Sequence, residues 1–188
     1  MASARAITAE LNRVGITAVL DVGGGGRYKS GYKVFKKLRN ENNLTVRTFY
    51  TMFQPKAKKL LKKLKENFPP SGTDTFYRLI GIGETFYRPL HDNTFRKFKT
   101  SGKHAAKLLE LARAAAGTEW HIHMHATLDE TGSHVLDNFE RANRATPLKP
   151  LRWIFAHLDA VGPKNIARMK KLGMMAAIHS RPTIQGRM

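Results

Sequence analysis

The chain has 188 residues, no cysteine, and 33 lysine and arginine residues against 14 aspartate and glutamate residues, for a net charge of +19. This length fits one domain that buries a sizeable core, so we predict a single domain over residues 1–188. The lack of cysteine excludes disulfides, thiolate metal sites and a cysteine nucleophile.

Strand and helix patterns alternate along the chain. A helix is predicted over residues 3–14. Apolar, β-rich runs predict six strands, over 16–22, 44–50, 76–85, 120–125, 152–157 and 174–178. A helical pattern follows each of the first five strands, over 31–41, 55–68, 102–116, 132–144 and 163–172. This alternation indicates an α/β fold with a parallel sheet, and we predict an incomplete (β/α)8 TIM-type barrel of about six parallel strands with flanking helices.

Four glycines, residues 23–26, follow the first predicted strand. Their spacing matches neither the Walker nor the dinucleotide pattern, so we interpret them as a flexible loop rather than a phosphate-binding loop.

Six lysines crowd into residues 56–65, namely Lys56, Lys58, Lys59, Lys62, Lys63 and Lys65. One interpretation is a surface that binds polyanions such as nucleic acid. The other, which we favour, is the solvated face of an amphipathic helix, because Leu60, Leu61 and Leu64 form an apolar stripe among the lysines. This segment has no aromatic residues among its lysines on which bases could stack, so nucleic acid is a possible partner but not the favoured one.

No apolar run approaches the ~18 residues that a membrane-spanning helix requires. The first residues show no apolar core followed by a cleavage site, which argues against a signal peptide. We therefore expect no membrane association and a cytoplasmic location.

Residues that can bind metal stand at the carboxyl ends of several predicted strands: Asp21, Glu84, His125 and His157. A barrel of this type places its site at that face. His121, His123 and His125 alternate and so share one side of their strand, but only His125 is close to the mouth. His125 and His157 end neighbouring strands, which lie roughly 4.8 Å apart, so their imidazoles are candidates to share one ion.

Three further residues have open interpretations. Glu84 either completes the metal site or pairs with a nearby cation such as Arg88. Asp129 either orients a ligand imidazole or caps the following helix. His179 is a possible residue of the mouth.

Two segments resemble a known family: WHIHMHATLDETGSHVLDNFERA, and RWIFAHLDAVGPKNIARMKKLGMMAAIHSRP. They are similar to the second half of an amidohydrolase-superfamily barrel, of the amidohydrolase family 3 type that includes N-substituted formamide deformylase-like enzymes. The matching positions are His125, Asp129, Leu136, Phe139, Glu140, His157, Pro163, Ile166, Arg168, Leu172 and Gly173.

The resemblance implies a metal-dependent hydrolase that acts on C–N bonds of small amide-like substrates. It implies that His125 and His157 bind a divalent ion, commonly zinc, and that Glu84 is the bridging ligand. Asp129 remains the candidate to orient a ligand imidazole from the loop after His125. The competing hypothesis is a non-catalytic basic protein, or a subunit of an assembly, that binds polyanions through its lysine-rich surface.

The chain also departs from the family pattern. No His-x-His pair precedes the first predicted strand, and the family's late aspartate, which serves as general base, has no counterpart, so the catalytic residues stay unassigned. Leu128 replaces a glycine and Ala156 a glutamate of the pattern. The predicted strands correspond to strands two to seven of the barrel, which allows an inactive fragment. Their two open sheet edges predict a homo-oligomer that covers them.

Overall fold

The computed structural model describes residues 2–23, 32–66, 74–93 and 101–179. Six helices lie in this part of the chain: α1 (Ala2–Arg13), α2 (Lys33–Asn40), α3 (Ala57–Lys65), α4 (Gly102–Gly117), α5 (Asp129–Asn143) and α6 (Pro163–Leu172). Six strands alternate with them: β1 (Ala18–Asp21), β2 (Arg47–Met52), β3 (Tyr77–Ile82), β4 (His121–Ala126), β5 (Ile154–His157) and β6 (Met175–Ile178).

The strands form one parallel sheet in the order β1-β2-β3-β4-β5-β6. Sequential parallel order with a helix between strands is the arrangement of a (β/α) barrel. The predicted fold class, an incomplete TIM-type barrel of six parallel strands with flanking helices, is therefore confirmed. The described part of the sheet ends at β1 on one side and at β6 on the other, so each of these strands pairs on one edge only.

The main hydrophobic core lies between the sheet and helices α3, α4, α5 and α6. Its largest fully buried side chains include Trp120, Trp153, Phe139 and Phe155. The indole nitrogen of Trp153 donates to the carbonyl oxygen of Trp120 at 2.9 Å, so burial of this polar atom is compensated. The core therefore anchors the amino ends of β4 and β5, and the carboxyl ends of these strands carry His125 and His157.

Helix α3 has the two-sided character that its sequence predicts. Leu60 and Leu64 are fully buried, whereas five of the six lysines, Lys56, Lys58, Lys59, Lys62 and Lys65, are exposed and Lys63 is half-buried. The leucines attach the helix to the core and the lysines face water, as the favoured interpretation requires. In the described residues, no helix is long and apolar enough to cross a membrane.

Gly81 in β3 and Gly83 just beyond it lie where neighbouring backbone approaches closely. A Cβ added at Gly81 would lie 2.6 Å from the carbonyl oxygen of His121, and one at Gly83 would lie 2.3 Å from that of Val22. Only glycine fits at such separations. These contacts hold the end of β3 against strands on both sides.

Several sequence predictions differ in their bounds. Strand β3 ends at Ile82 rather than at residue 85, so Glu84 lies two residues beyond it, and α5 begins at Asp129 rather than at residue 132. The glycine run falls mainly on residues 24–26, which lie outside the described residues, as does much of the loop predicted over 86–101.

Candidate metal centre

Glu84 stands at the carboxyl end of the sheet, and its backbone is fixed from two sides. Its N–H donates to the carbonyl oxygen of Val22 at 3.2 Å, and its own carbonyl oxygen accepts from the N–H of His125 at 3.1 Å. The second bond extends the pairing of β3 with β4 to Glu84, two residues past β3, and the first ties Glu84 to the residue that follows β1. The Glu84 side chain is consequently held beside the end of β4.

His125 lies near the end of β4 and is buried, with 7% of its surface exposed. Its Nδ1 lies 3.4 Å from Glu84 Oε2. Its Nε2 lies 2.7 Å from the carbonyl oxygen of Asp92 and 3.1 Å from Asp92 Oδ1. Both ring nitrogens of His125 therefore face oxygen atoms.

His157 ends β5 in an unusual backbone conformation. It pairs with Ala126, not with His125, and partners in a parallel sheet face the same side. An extended His157 would thus point away from His125. Instead its φ is 76° and that of Leu158 is 53°, both in the left-handed region, at a cost on the order of 1–2 kcal/mol per residue.

The left-handed turn interrupts the strand alternation and brings the His157 ring to the site. Its Nε2 lies 2.8 Å from Glu84 Oε2, and its ring centroid lies 4.5 Å from that of His125. Backbone strain of this kind clusters at functional sites. Here it aligns a side chain that regular strand geometry would misdirect.

Glu84, His125 and His157 together form a donor set suited to a metal ion. One donor atom from each lies within 4.8 Å of the others. Ligands of a tetrahedral zinc ion with bonds near 2.1 Å are separated by roughly 3.4 Å, and Glu84 Oε2 lies 2.8 and 3.4 Å from the two nitrogens. Two imidazoles and one carboxylate are a known zinc ligand set. The buried Nδ1 of His157 has no hydrogen-bond partner, which leaves Nε2 as the nitrogen that contacts Glu84. These residues fit the ion.

Without an ion, the cluster is held by charge. The hydrogen bonds of His125 and His157 hold the pKa of Glu84 well below its ordinary range. Burial lowers the pKa of His125, but the hydrogen bonds to Asp92 and Glu84 outweigh it and raise the pKa to about 9. Burial disfavours ionisation of Asp92, yet the hydrogen bonds from His125, Thr131 and two backbone N–H groups hold its pKa below the usual value. His125 is therefore favoured in its protonated, cationic form, between the carboxylates of Asp92 and Glu84.

Sequence reasoning missed two residues of this site, His91 and Asp92. They follow a short 3₁₀ helix, Arg88–Leu90, in a region predicted only as a basic loop. The His91 ring stacks on His125 with centroids 3.7 Å apart and planes 23° apart. The only signal in the sequence is an adjacent histidine and aspartate in an otherwise basic stretch, which alone does not indicate a contact with residue 125.

The Asp129 carboxylate contacts Gly162 and Asn165 and not the His125 imidazole that it was a candidate to orient. Its carboxylate accepts from the backbone N–H of Gly162 at 2.6 Å and from Asn165 Nδ2 at 2.8 Å. Asp129 thus joins the start of α5 to the start of α6, and the carboxylate that contacts His125 is that of Asp92.

The other candidates border the site at different depths. His123 shares the inward face of β4 and is 4% exposed, while His121 contacts the Leu151 carbonyl oxygen at 3.2 Å. The His179 ring lies edge-on to His157 with centroids 4.9 Å apart, so His179 does border the mouth. Asp21 ends β1, and its Oδ1 accepts from the N–H of Gly23.

A partial parallel barrel with a histidine and carboxylate cluster at the carboxyl ends of its strands places the chain in the class of (β/α)-barrel proteins, whose sites lie at that face. The sequence model of the amidohydrolase family matches residues 2–188. The chain belongs to this family, as its histidine segments predicted. No curated protein matches the chain.

Solved structures that share this fold include the following three. An uncharacterized metal-dependent hydrolase from Pyrococcus furiosus is 16% identical with a TM-score of 0.63, over 97% of this chain and 38% of that one. A second, from Pyrococcus horikoshii OT3, is 14% identical with a TM-score of 0.63, over 96% and 37%. A phosphotriesterase homology protein from Escherichia coli, with phosphate in its active site, is 15% identical with a TM-score of 0.61, over 96% and 62%. The chain thus spans less than two thirds of each.

Proposed function

We propose that the chain binds a divalent metal ion, zinc in the first instance, through Glu84, His125 and His157, and that this centre serves the hydrolysis of amide-like C–N bonds. The convergence of three donor atoms within 4.8 Å at the carboxyl end of the sheet carries the proposal. Membership of the amidohydrolase family supports the choice of bond.

The chemistry follows from the donor set. A bound divalent ion lowers the pKa of a water ligand towards ~7 and polarises a carbonyl oxygen. Glu84 would supply negative charge that offsets the ion, and His125 and His157 would complete a set of three protein ligands, the number typical of catalytic zinc sites. The side chains of His157 and Glu84 are 20% and 26% exposed, so a small substrate can approach from the mouth.

Metal content tests the binding step. The purified chain, incubated with zinc and desalted, should retain about one ion per chain. The double variant His125→Ala/His157→Ala should retain much less. A matched control, His104→Ala/His134→Ala, removes two histidines outside the triad and should bind zinc as the parent does. If the parent and the triad variant retain equally little zinc, the proposal is wrong.

Hydrolysis is tested separately with a panel of small amides and N-substituted formamides. The zinc-loaded parent should release amine, and the triad variant should not. Zinc binding without amine release would retain the metal centre and remove the hydrolytic part of the proposal.

A further inference from the structure

Asp92 is the most thoroughly enclosed polar residue at the metal centre. Its side chain has 0% exposure. One carboxylate oxygen accepts from the N–H of Thr127 and the other from the N–H of Leu128, each at 3.0 Å. The first of these oxygens also lies 3.1 Å from His125 Nε2, and the Asp92 carbonyl oxygen lies 2.7 Å from the same nitrogen.

Both oxygen atoms that face His125 Nε2 are acceptors only. An ionised carboxylate and a backbone carbonyl cannot donate, so Nε2 must carry the hydrogen. When the imidazole is neutral, its lone pair is therefore on Nδ1, the atom that faces Glu84 Oε2 at 3.4 Å. His91 stacks on the ring face and restricts its plane.

We propose that Asp92 is the positioning residue of the metal centre, because it holds the Nε2–H of His125 and so makes Nδ1 the ligand atom. This inference rests on the proposed function, since it assigns the geometry of one ligand of that centre. A carboxylate that accepts the second N–H of a ligand histidine fixes its tautomer and raises its basicity.

The competing explanation is that Asp92 is only a structural clamp for residues 127 and 128. Asp129 is a natural comparison because its carboxylate also links two segments through hydrogen bonds but does not contact a ligand histidine. Its carboxylate also accepts from a backbone N–H and joins two neighbouring segments. Asp92→Asn and Asp129→Asn therefore remove one negative charge each from comparable clamps.

The first experiment measures zinc affinity by competition with a chromophoric chelator, together with thermal stability. We expect Asp92→Asn to weaken zinc binding about 10- to 100-fold. Asp129→Asn should leave zinc affinity within about 2-fold of the parent even where its melting temperature falls. Equal weakening in both variants, or unchanged affinity in Asp92→Asn, overturns the positioning role and leaves the proposed function intact.

The second experiment needs no variant. Histidine side-chain ¹⁵N NMR of the zinc-loaded parent should show His125 coordinated through Nδ1 and protonated at Nε2. Coordination through Nε2 overturns the inference even if Asp92→Asn fails to fold. If the parent chain binds no zinc, the proposed function fails, and the positioning role falls with it. The three failures are thus distinguishable.

Discussion

At the scale of single residues, the site is assembled by contacts that the sequence only partly predicts. Glu84, His125 and His157 were predictable because each follows an apolar run, and the carboxyl ends of parallel strands meet at one edge. Asp92 was not, because it lies in a loop without periodicity and its contact spans 33 sequence positions. Nor was the left-handed backbone at His157, since a β-rich pattern predicts extended geometry.

His123 gives a pH prediction at this scale. Burial, and then the nearby His121, lower the pKa of His123 to about 4. Because this folded-state value lies below the ordinary ~6.5, the unfolded chain takes up a proton first as the pH falls. We therefore expect His123 to reduce the free energy of unfolding progressively between about pH 6.5 and pH 4, by up to about 3 kcal/mol.

The measurement is chemical denaturation of the metal-free parent and of His123→Gln across this pH range. The variant should lose less stability than the parent on acidification. A matched variant of a less buried histidine, His134→Gln, should follow the parent. Parallel curves for the parent and His123→Gln would contradict the prediction.

At the scale of elements, the alternating pattern was sufficient for the fold, because buried strands and amphipathic helices each leave a periodic trace. The six strands and the helices between them appear in the predicted order, and α6 spans the residues predicted for it. What the pattern does not contain is the distance between strands. Gly81 and Gly83 are visible in the sequence, but the His121 and Val22 carbonyl groups that lie against them become known only from the folded structure.

Gly81→Ala and Gly83→Ala should each destabilise the fold by about 1–3 kcal/mol, because the added methyl group meets backbone atoms that cannot rotate away. Gly117→Ala is the matched control, since a Cβ there meets nothing within 4 Å at the end of α4. That change should be neutral or stabilising by up to about 1 kcal/mol. Urea denaturation of all three variants decides the matter, and equal effects at the three glycines would show that close strand approach is not the cause. Gly83→Ala should also weaken zinc binding, because Glu84 follows it directly.

At the scale of the whole molecule, two properties act in opposite directions. A net charge of +19 attracts polyanions and makes copies of the chain repel one another. Strand β6 has an edge without a described partner, and Ile178 and Met175 on it are 80% and 39% exposed. Salt separates the two effects, because it screens charge and leaves apolar burial in place.

The charge predicts salt-sensitive binding to duplex DNA or heparin. If the lysines of α3 and the preceding Lys56 form a true binding surface, changing Lys56, Lys58, Lys59, Lys62 and Lys65 to Gln should make the negative slope of log affinity against log salt shallower by up to about 4.5. A control variant removes the same charge from exposed positions elsewhere, namely Lys103, Arg113, Lys164, Lys170 and Lys171. If both variants lose the same amount of salt-dependent affinity, the polyanion responds only to net charge, and the lysines of α3 form an ordinary solvated helix face.

The open edge predicts self-association through β6. An unpaired edge offers a row of N–H and C=O groups to another strand, and the apolar groove beside it, about 460 Å³, is lined by Val161, Ile166, Met174 and Ile178 among others. We expect two copies to pair at this edge, more strongly as salt rises from about 0.01 to about 0.15 M, because screening shortens the range of their mutual repulsion from ~30 to ~8 Å.

Sedimentation velocity at the two salt concentrations measures this association. Ile178→Lys places a charge on the edge and should keep the chain monomeric at both. Ile7→Lys, which changes another exposed isoleucine on α1, should associate as the parent does, since it leaves β6 intact. A parent chain that is monomeric throughout, or an Ile178→Lys variant that associates equally well, would rule out pairing at β6. Because polyanion binding weakens with salt while this pairing strengthens, the two properties cannot be mistaken for one another.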